Sequence, residues 1–208
     1  SSHTLGPWRA AERVLEELKD EAILDDIIRV KVDLYGSLSL TGKGHATDLA
    51  VMLGLSGQDP EYIPVEDIAG IIKKIETTNE INLGNQKVIP FFFLQDIVFN
   101  KDFLPFHANG LKFTAYKSDD STYDSTFYSI GGGFVVKEER TNAKQKEVIK
   151  CAFPFPVQNA AELLNYTITE NKSISEIVYE NEKSMRSEEE IHSELMSIWN
   201  TMLECMYI

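Results

Sequence analysis

Cysteine, positive charge and long apolar runs are all scarce in this sequence, and each shortage excludes a class of protein. The two cysteines, Cys151 and Cys205, are too few for a disulfide scaffold or for an iron–sulfur cluster, which takes about three or four thiolates. Lysine and arginine total 20 against 33 acidic residues, and the formal net charge of -13 argues against a nucleic-acid or anionic-membrane binder. The apolar run from Phe91 to Leu94 is far too short to span a membrane. No secretory signal is visible at the N-terminus, so a reduced, cytoplasmic setting is expected.

The rest of the composition is typical of a globular protein, with 43% hydrophobic and 25% charged residues in a chain of 208. A helix, a strand and a second helix are predicted to open the chain, three strands follow between residues 111 and 136, and the segment after Pro156 is predicted to be helical. We therefore predict an α+β domain over residues 1–150, in which helices pack on a mixed sheet of about four strands. Residues 151–208 are predicted to form a helical C-terminal extension.

One glycine-rich stretch, residues 35–48, joins a predicted strand to a predicted helix. Apolar residues alternate from Ile28 to Leu34, which indicates a half-buried strand, and helical spacing begins at Leu49. His45 is expected at the helix start, with Asp48 three residues on and on the same helical face, where a carboxylate can orient the imidazole. The alternative is a tight turn with a solvent-exposed histidine.

Lys43 lies between Gly42 and Gly44 in this stretch, a pattern that partly matches a phosphate-binding loop. Such a loop requires the spacing G-x-x-x-x-G-K-[ST]. Here five residues separate Gly36 from Gly42, and a glycine follows the lysine, so nucleotide binding through this loop is excluded. The glycines instead allow the backbone to pass close to a ligand, and the helix start favours an anion such as a carboxylate.

A second polar cluster, Ser1 to Thr4, precedes another predicted helix. Pro7 suits the first position of that helix, and apolar residues from Ala11 to Leu18 mark one face of it. Simple N-capping by serine or threonine is the alternative role for this cluster, but it leaves His3 unexplained.

The third cluster is a loop before a predicted strand and contains His107, Asn109 and Gly110. Asn-Gly is by itself a strong turn signal, so a purely structural role is the alternative. Three of the four histidines thus lie in loops at the starts of elements, whereas His192 lies on a helix and receives a structural interpretation. Loops on a rigid scaffold are where function concentrates. The three could converge on a small anionic substrate or form a metal site, although no pair has local ligand spacing: His3, His45 and His107.

Four motifs follow one another along the chain: Ser1 to Ala11, Tyr35 to Asp48, His107 to Gly110 and Tyr128 to Phe134. Together they make the sequence resemble a known family, the beta (N-terminal) domain of bacterial iron–sulfur L-serine dehydratases. The likeness extends through residues 181–190 and covers essentially the whole chain. Trp8 stands where the family is expected to have methionine, which is a difference of packing. The family's alpha domain, with its cluster-binding cysteines, is expected to follow residue 208, and further residues are expected before the first motif.

The resemblance implies a lyase that converts L-serine to pyruvate and ammonia, in serine catabolism and the supply of pyruvate for gluconeogenesis. It implies an iron–sulfur (4Fe-4S) cluster, bound by the alpha domain and acting as a Lewis acid, and it implies no pyridoxal phosphate. The substrate pocket would lie where the beta and alpha domains meet. L-serine and the alpha domain are the implied partners, a homodimer is expected, and this chain alone is expected to be inactive.

The resemblance also assigns roles to residues. His45, Asp48 and His3 are the expected catalytic residues, with His45 preferred as the base because a carboxylate can hold it. The fold is expected to resemble the allosteric substrate-binding domain of phosphoglycerate dehydrogenase. That analogy supplies one alternative, a non-catalytic serine-binding regulatory module. A dimerisation module is a further alternative. The expected substrate-binding residues are Ser1, Ser2, Thr4, Lys43, His107, Asn109 and Gly110, and no metal ligand is expected in this chain.

Overall fold

A computed structural model describes residues 2–138 and 153–207 of the chain. The chain divides into two compact units, Ser1–Ala143 and Lys144–Ile208. The domain boundary predicted at residue 150 lies outside the described residues, as does Cys151.

The first unit mixes helices and strands along the chain. Two short 3-10 turns, Leu24–Asp26 and Gly42–His45, lie between its regular elements. Its elements are helix α1 (Leu5–Asp20), strand β1 (Ile27–Leu34), helices α2 (Ser37–Leu40), α3 (Thr47–Leu55) and α4 (Val65–Thr78), strands β2 (Glu80–Leu83) and β3 (Lys87–Pro90), helix α5 (Phe93–Asp96), and strands β4 (Ile97–Phe99), β5 (Gly110–Lys117), β6 (Thr122–Gly131) and β7 (Phe134–Lys137).

Five of these strands form one mixed sheet in the order β4-β1-β5-β6-β7, and β2 and β3 form a separate hairpin. Strand β1 pairs in parallel with β4 and antiparallel with β5. The predicted α+β class with a mixed sheet is confirmed. The fifth strand comes from the apolar run at residues 91–99, whose pattern fitted either a strand or a helix turn and which contains both α5 and β4.

Strand β1 departs from the predicted alternation at its first residues. A register shift between Ile27 and Arg29 rotates the start of the strand, so Ile27 is buried while Ile28 is 47% exposed. Beyond this bulge Val30, Val32 and Leu34 point into the core as predicted. The bulge adds one residue to one strand of the pair, which inverts the facing of the residues before it.

Helix α1 packs against both α3 and the sheet, and this packing brings the N-terminal segment to the polar loops. A methyl group at Gly54 of α3 would come within 2.7 Å of the Ala11 side chain and of the Trp8 carbonyl, so the two helices approach closely. A methyl group at Gly6 would lie 1.9 Å from Ser129 Oγ on β6. Only glycine at these positions permits such contacts.

The second unit is helical, with α6 (Ala160–Thr169), α7 (Ile174–Glu182) and α8 (Glu188–Met206). The sequence has the capping-box spacing S-x-x-E at two places in this unit, and both boxes are present: Ser173 with Glu176 begins α7, and Ser187 with Glu190 begins α8. Within the described ranges, no helix combines the length and the apolar character needed to cross a membrane.

Candidate functional site

His3 is held between two hydroxyl groups ahead of α1. Its Nδ1 lies 3.0 Å from Ser2 Oγ, and its Nε2 lies 2.9 Å from Ser37 Oγ, the first residue of α2. Both ring nitrogens are therefore engaged, and the tautomer decides which of them donates. Ser1 lies outside the described residues.

The Thr4 hydroxyl does not act as a simple helix cap. Thr4 occupies the N-cap position of α1, but its side chain makes no capping hydrogen bond. Its Oγ1 instead donates to the carbonyl oxygen of His45 at 2.9 Å. In return, Thr47 Oγ1 donates to the carbonyl oxygen of His3 at 2.5 Å. The N-terminal segment is thus bonded to the glycine-rich stretch in both directions.

The rings of His3 and His45 are neighbours, with centroids 5.1 Å apart and planes inclined by 50°. His45 ends a 3-10 turn and is exposed, and no hydrogen bond to its ring is present among the described residues. An exposed imidazole with unengaged nitrogens can take up a proton from a ligand at this surface.

Asp48 does not share a helical face with His45. Helix α3 begins only at Thr47, and Ala46 between them adopts a left-handed conformation at φ 53. Asp48 Oδ1 accepts a hydrogen bond from the backbone N–H of Leu49 at 3.0 Å. In the part of the chain that is described, no hydrogen bond or ion pair joins Asp48 to His45. The expected orienting contact therefore does not occur in this structure.

The environment of His3 favours its neutral form. Burial lowers the pKa of His3 below its usual value of 6.5, and the positive charge of His45 lowers it further, while a hydrogen bond at Ser37 acts in the opposite direction. A neutral imidazole retains one acceptor nitrogen, so His3 can accept a hydrogen bond while it donates another.

The loop with His107 and Asn109 reaches the same region through its backbone. His107 Nδ1 accepts from the N–H of Asn109 at 3.1 Å, and Asn109 Nδ2 donates to the carbonyl oxygen of Ser129 at 3.0 Å. The N–H of Ser37 donates to the Ala108 carbonyl at 2.8 Å. The N–H of Tyr35 donates to the Gly110 carbonyl at 2.9 Å. The three histidine-bearing segments therefore form one connected set of loops.

Lys43 is exposed beside this set. Its Nζ lies 5.3 Å from the centre of the Phe99 ring, a cation–π distance. Its neighbour Gly42 is buried against Thr47, where a methyl group would come within 3.1 Å of Oγ1, whereas Gly44 faces open space. Lys43 is thus an exposed positive charge two positions before His45 in the chain.

Three residues that join these loops were not singled out from the sequence: Ser37, Thr47 and Ser129. Ser37 lies in the glycine-rich stretch directly after Gly36, and that position was the available signal. Thr47 and Ser129 are fully buried hydroxyl residues within a helix and a strand. Both lie inside motifs that carry the family resemblance, Tyr35 to Asp48 and Tyr128 to Phe134, but the local pattern assigns no role to their hydroxyls.

The donor set of this chain does not fit an iron–sulfur cluster. The chain has two cysteines, of which Cys205 is exposed, and a cluster takes about three or four thiolates. Among the residues that the structure describes, no group of three or more histidine, cysteine or acidic side chains could hold a metal ion. The loops present hydroxyls and imidazoles, which suit binding of a small polar anion and proton transfer.

Comparison with known proteins gives consistent matches along the whole chain. The family model for the serine dehydratase beta chain matches residues 1–140. L-serine dehydratase 1 of Escherichia coli K12 is 38% identical over 207 residues, which cover 99% of this chain and 45% of that protein. The L-serine dehydratase of Haemophilus influenzae is 35% identical over 209 residues, covering 99% and 45%. That of Streptomyces coelicolor is 38% identical over 208 residues, covering 99% and 46%. The chain thus spans about half the length of the curated relatives it matches.

Proposed function

Because the chain belongs to the serine dehydratase beta chain family, we propose that it supplies substrate-binding and acid–base residues to an enzyme that converts L-serine to pyruvate and ammonia. The observation that carries this proposal is the pair of imidazoles at 5.1 Å, His3 with both nitrogens engaged and His45 exposed. The alpha domain of the same enzyme is the proposed partner, and the active form is proposed to be a homodimer.

The reaction needs a base at the α-carbon of serine. Removal of the α-proton and departure of the β-hydroxyl eliminate water and leave aminoacrylate, whose imine tautomer takes up water to give pyruvate and ammonia. We assign the base to His45, because its ring is exposed and has no hydrogen-bond partner among the described residues. His3 stays neutral beside it, so the charge that His45 gains with the proton meets no second positive imidazole.

The substrate carboxylate needs donors and positive charge. Ser2 is bonded to the His3 ring and Thr4 to the His45 carbonyl, Lys43 precedes His45 by two positions in the chain, and the loop with His107, Asn109 and Gly110 is bonded to the same segments. We assign these residues to substrate binding. We add Ser37, whose hydroxyl is hydrogen-bonded to His3 Nε2 at 2.9 Å. Among the described residues no hydrogen bond or ion pair joins Asp48 to His45, so we assign Asp48 a catalytic role in the substrate-bound state.

The iron–sulfur cluster implied by the family resemblance is assigned to thiolates outside this chain. The donor set described above does not fit such a group, and no step of the proposed chemistry of this chain depends on contact with it. Departure of the β-hydroxyl is accordingly assigned to residues or groups of the alpha domain.

The test is substitution of His45 in the assembled dehydratase under anaerobic conditions. His45→Ala is expected to lower kcat by about 10²–10⁴, the usual contribution of a general base, with the visible absorbance of the cluster unchanged. The matched control is His192→Ala, which removes an exposed histidine of the helical unit and should leave turnover intact.

Two other outcomes would instead support a regulatory module or a dimerisation module. Near-normal turnover with an altered dependence of rate on serine concentration would favour a serine-binding regulatory module. Loss of all three loop histidines without effect on rate or on serine dependence would leave a dimerisation module, to be verified by the molar mass in solution.

A further inference from the structure

Two buried hydroxyls fix the segment that carries His3, and neither has been assigned a role. We propose that Thr47 and Ser129 are positioning residues that hold the Ser2 and His3 peptide groups and thereby place the His3 imidazole for the reaction. This inference rests on the proposed function for its catalytic consequence, but its structural part can be tested in the chain alone.

The two hydroxyls bind consecutive carbonyls from different elements. Ser129 Oγ on β6 donates to the carbonyl oxygen of Ser2 at 2.7 Å. Thr47 Oγ1 at the start of α3 donates to the carbonyl oxygen of His3 at 2.5 Å. Both side chains are 0% exposed, so these bonds do not compete with water. A peptide pair held at successive carbonyls has little freedom to rotate its side chain away.

Ser129 also connects this segment to the His107 loop. Its backbone N–H donates to the Asn109 carbonyl at 2.9 Å, and its own carbonyl accepts from Asn109 Nδ2 at 3.0 Å. Helix α1 lies directly on its side chain, because a methyl group at Gly6 would come within 1.9 Å of Ser129 Oγ. Ser129 is thus the point at which two of the three histidine-bearing segments meet.

Thr47 connects the N-terminal segment to the third histidine-bearing segment, the one that contains His45. It follows His45 by two positions, and the carbonyl of His45 in turn accepts from Thr4 Oγ1. The distance between the two imidazoles therefore depends on a closed set of hydroxyl-to-carbonyl bonds rather than on a contact between the rings alone. Loss of the Thr47 hydroxyl leaves the His3 carbonyl without this donor and loosens the pair.

The first experiment measures the pKa of the His3 imidazole by NMR titration of the 208-residue chain. The His3 resonance is the one that is lost in His3→Gln. Thr47→Val removes the hydroxyl at nearly constant shape, and Thr47→Ser keeps it. Because burial and His45 both lower the pKa of His3, release of the segment is expected to raise it toward the ordinary value of 6.5 in Thr47→Val and in Ser129→Ala. Thr47→Ser is expected to titrate as the unsubstituted chain does.

Ser125→Ala is the matched control, since Ser125 is a buried serine of the same strand whose hydroxyl donates to Glu17 instead. It should leave the His3 titration unchanged. An unchanged titration in both Thr47→Val and Ser129→Ala would overturn the proposal, as would an equal shift in Thr47→Ser. The two positions lie on separate elements, so if circular dichroism shows one variant to be unfolded, the other decides.

The second experiment measures turnover of the assembled dehydratase as a function of pH. Thr47→Val is expected to lower kcat by up to about 100-fold and to displace the pH profile, with recovery in Thr47→Ser, because small misplacements of catalytic groups carry costs of that order. A shifted His3 titration with normal turnover in both this variant and His45→Ala would overturn the proposed function while leaving the structural part intact. A shifted titration with normal turnover in Thr47→Val alone would overturn the catalytic part of the inference.

Discussion

The ring centroids of His3 and His45 lie 5.1 Å apart with the ring planes inclined by 50°. Two reciprocal hydroxyl-to-carbonyl hydrogen bonds join the segments that carry these rings. Burial lowers the pKa of His3, and repulsion from a positively charged His45 ring lowers it further. His3 is therefore the ring of the pair whose surroundings favour the neutral form. This asymmetry allows one histidine to exchange a proton with a ligand while the other serves as a neutral hydrogen-bonding partner.

The first prediction concerns the protonation of His3. Its pKa in the folded chain is expected below 6.5, and His45→Gln is expected to raise it only in part, because burial is the larger cause and remains. The unfolded chain then binds more protons than the folded one as pH falls through 6.5. The stabilising contribution of neutral His3 to the free energy of unfolding should accordingly be complete above pH 6.5. It should be lost as the pH falls below that value toward the pKa of His3 in the folded chain.

NMR titration of the histidine resonances measures the pKa of His3, with His192→Gln as a control at an exposed site. Urea unfolding between pH 5 and pH 8, a window of about three pH units around the ordinary histidine pKa, measures how the free energy of unfolding depends on pH. A His3 resonance that titrates above 6.5, or one unaffected by His45→Gln, would contradict the prediction.

The second prediction concerns Gly36, which turns the chain from β1 into α2. Its φ of 55° favours glycine, and a methyl group there would meet the Ala108 carbonyl at 2.2 Å and the Phe103 ring at 2.8 Å. Gly36→Ala is expected to destabilise the first unit by about 1–3 kcal/mol from backbone strain alone, with the steric clash in addition. It should also displace Ser37 and, through it, the His3 imidazole.

Gly70→Ala is the matched control for that change. Gly70 lies inside α4, has no positive φ, and would place its methyl group in open space. Alanine there is expected to stabilise by about 0.5–1 kcal/mol, because glycine is the poorer helix former. Opposite signs in urea unfolding are the expected result, and equal stability of the two variants would contradict the account of the turn.

The third prediction concerns Asp96, a fully buried carboxylate between α5 and β1. It accepts from Arg29 Nε at 2.8 Å and Nη2 at 2.6 Å, and from the N–H of Phe92 at 2.7 Å. Asp96→Ala leaves these donors unpaired and is expected to lower the free energy of unfolding by about 1–3 kcal/mol. Glu61→Ala breaks an exposed ion pair with Arg9 and should cost less than about 1 kcal/mol. Equal losses in denaturant unfolding would show that burial of Asp96 contributes nothing.

The fourth prediction concerns the chain without its partner. It is expected to fold, because one apolar core joins α1, α3 and the sheet in its first unit. Anaerobic iron–sulfur reconstitution should yield no stoichiometric cluster, because two cysteines do not supply enough thiolates. No pyruvate should form from L-serine. Stoichiometric iron and sulfide, or measurable pyruvate, would refute the division of roles between this chain and the alpha domain.

Local signals in the sequence were enough to predict most helices and strands. The capping boxes at Ser173 and Ser187 act within one helical turn, and the apolar spacing of α4 records which face is buried, so both could be read without a partner. The outward orientation of Ile28 and the edge strand β4 could not be predicted from local signals. A bulge and a three-residue strand are defined only by their pairing with the neighbouring strand.

The candidate site divides in the same way. The loops with His3, His45 and His107 were recognised because polar residues and glycines at the start of an element form a local pattern. The hydroxyls that hold them were not, because Ser129 and the Ser2 carbonyl are 127 positions apart and Thr47 and the His3 carbonyl are 44 apart. Asp48 was placed beside His45 on the assumption of one continuous helix, and the left-handed Ala46 breaks it. Hydrogen bonds between distant positions depend on how α1 lies across β6 and α3, and only the packing of the whole unit determines that.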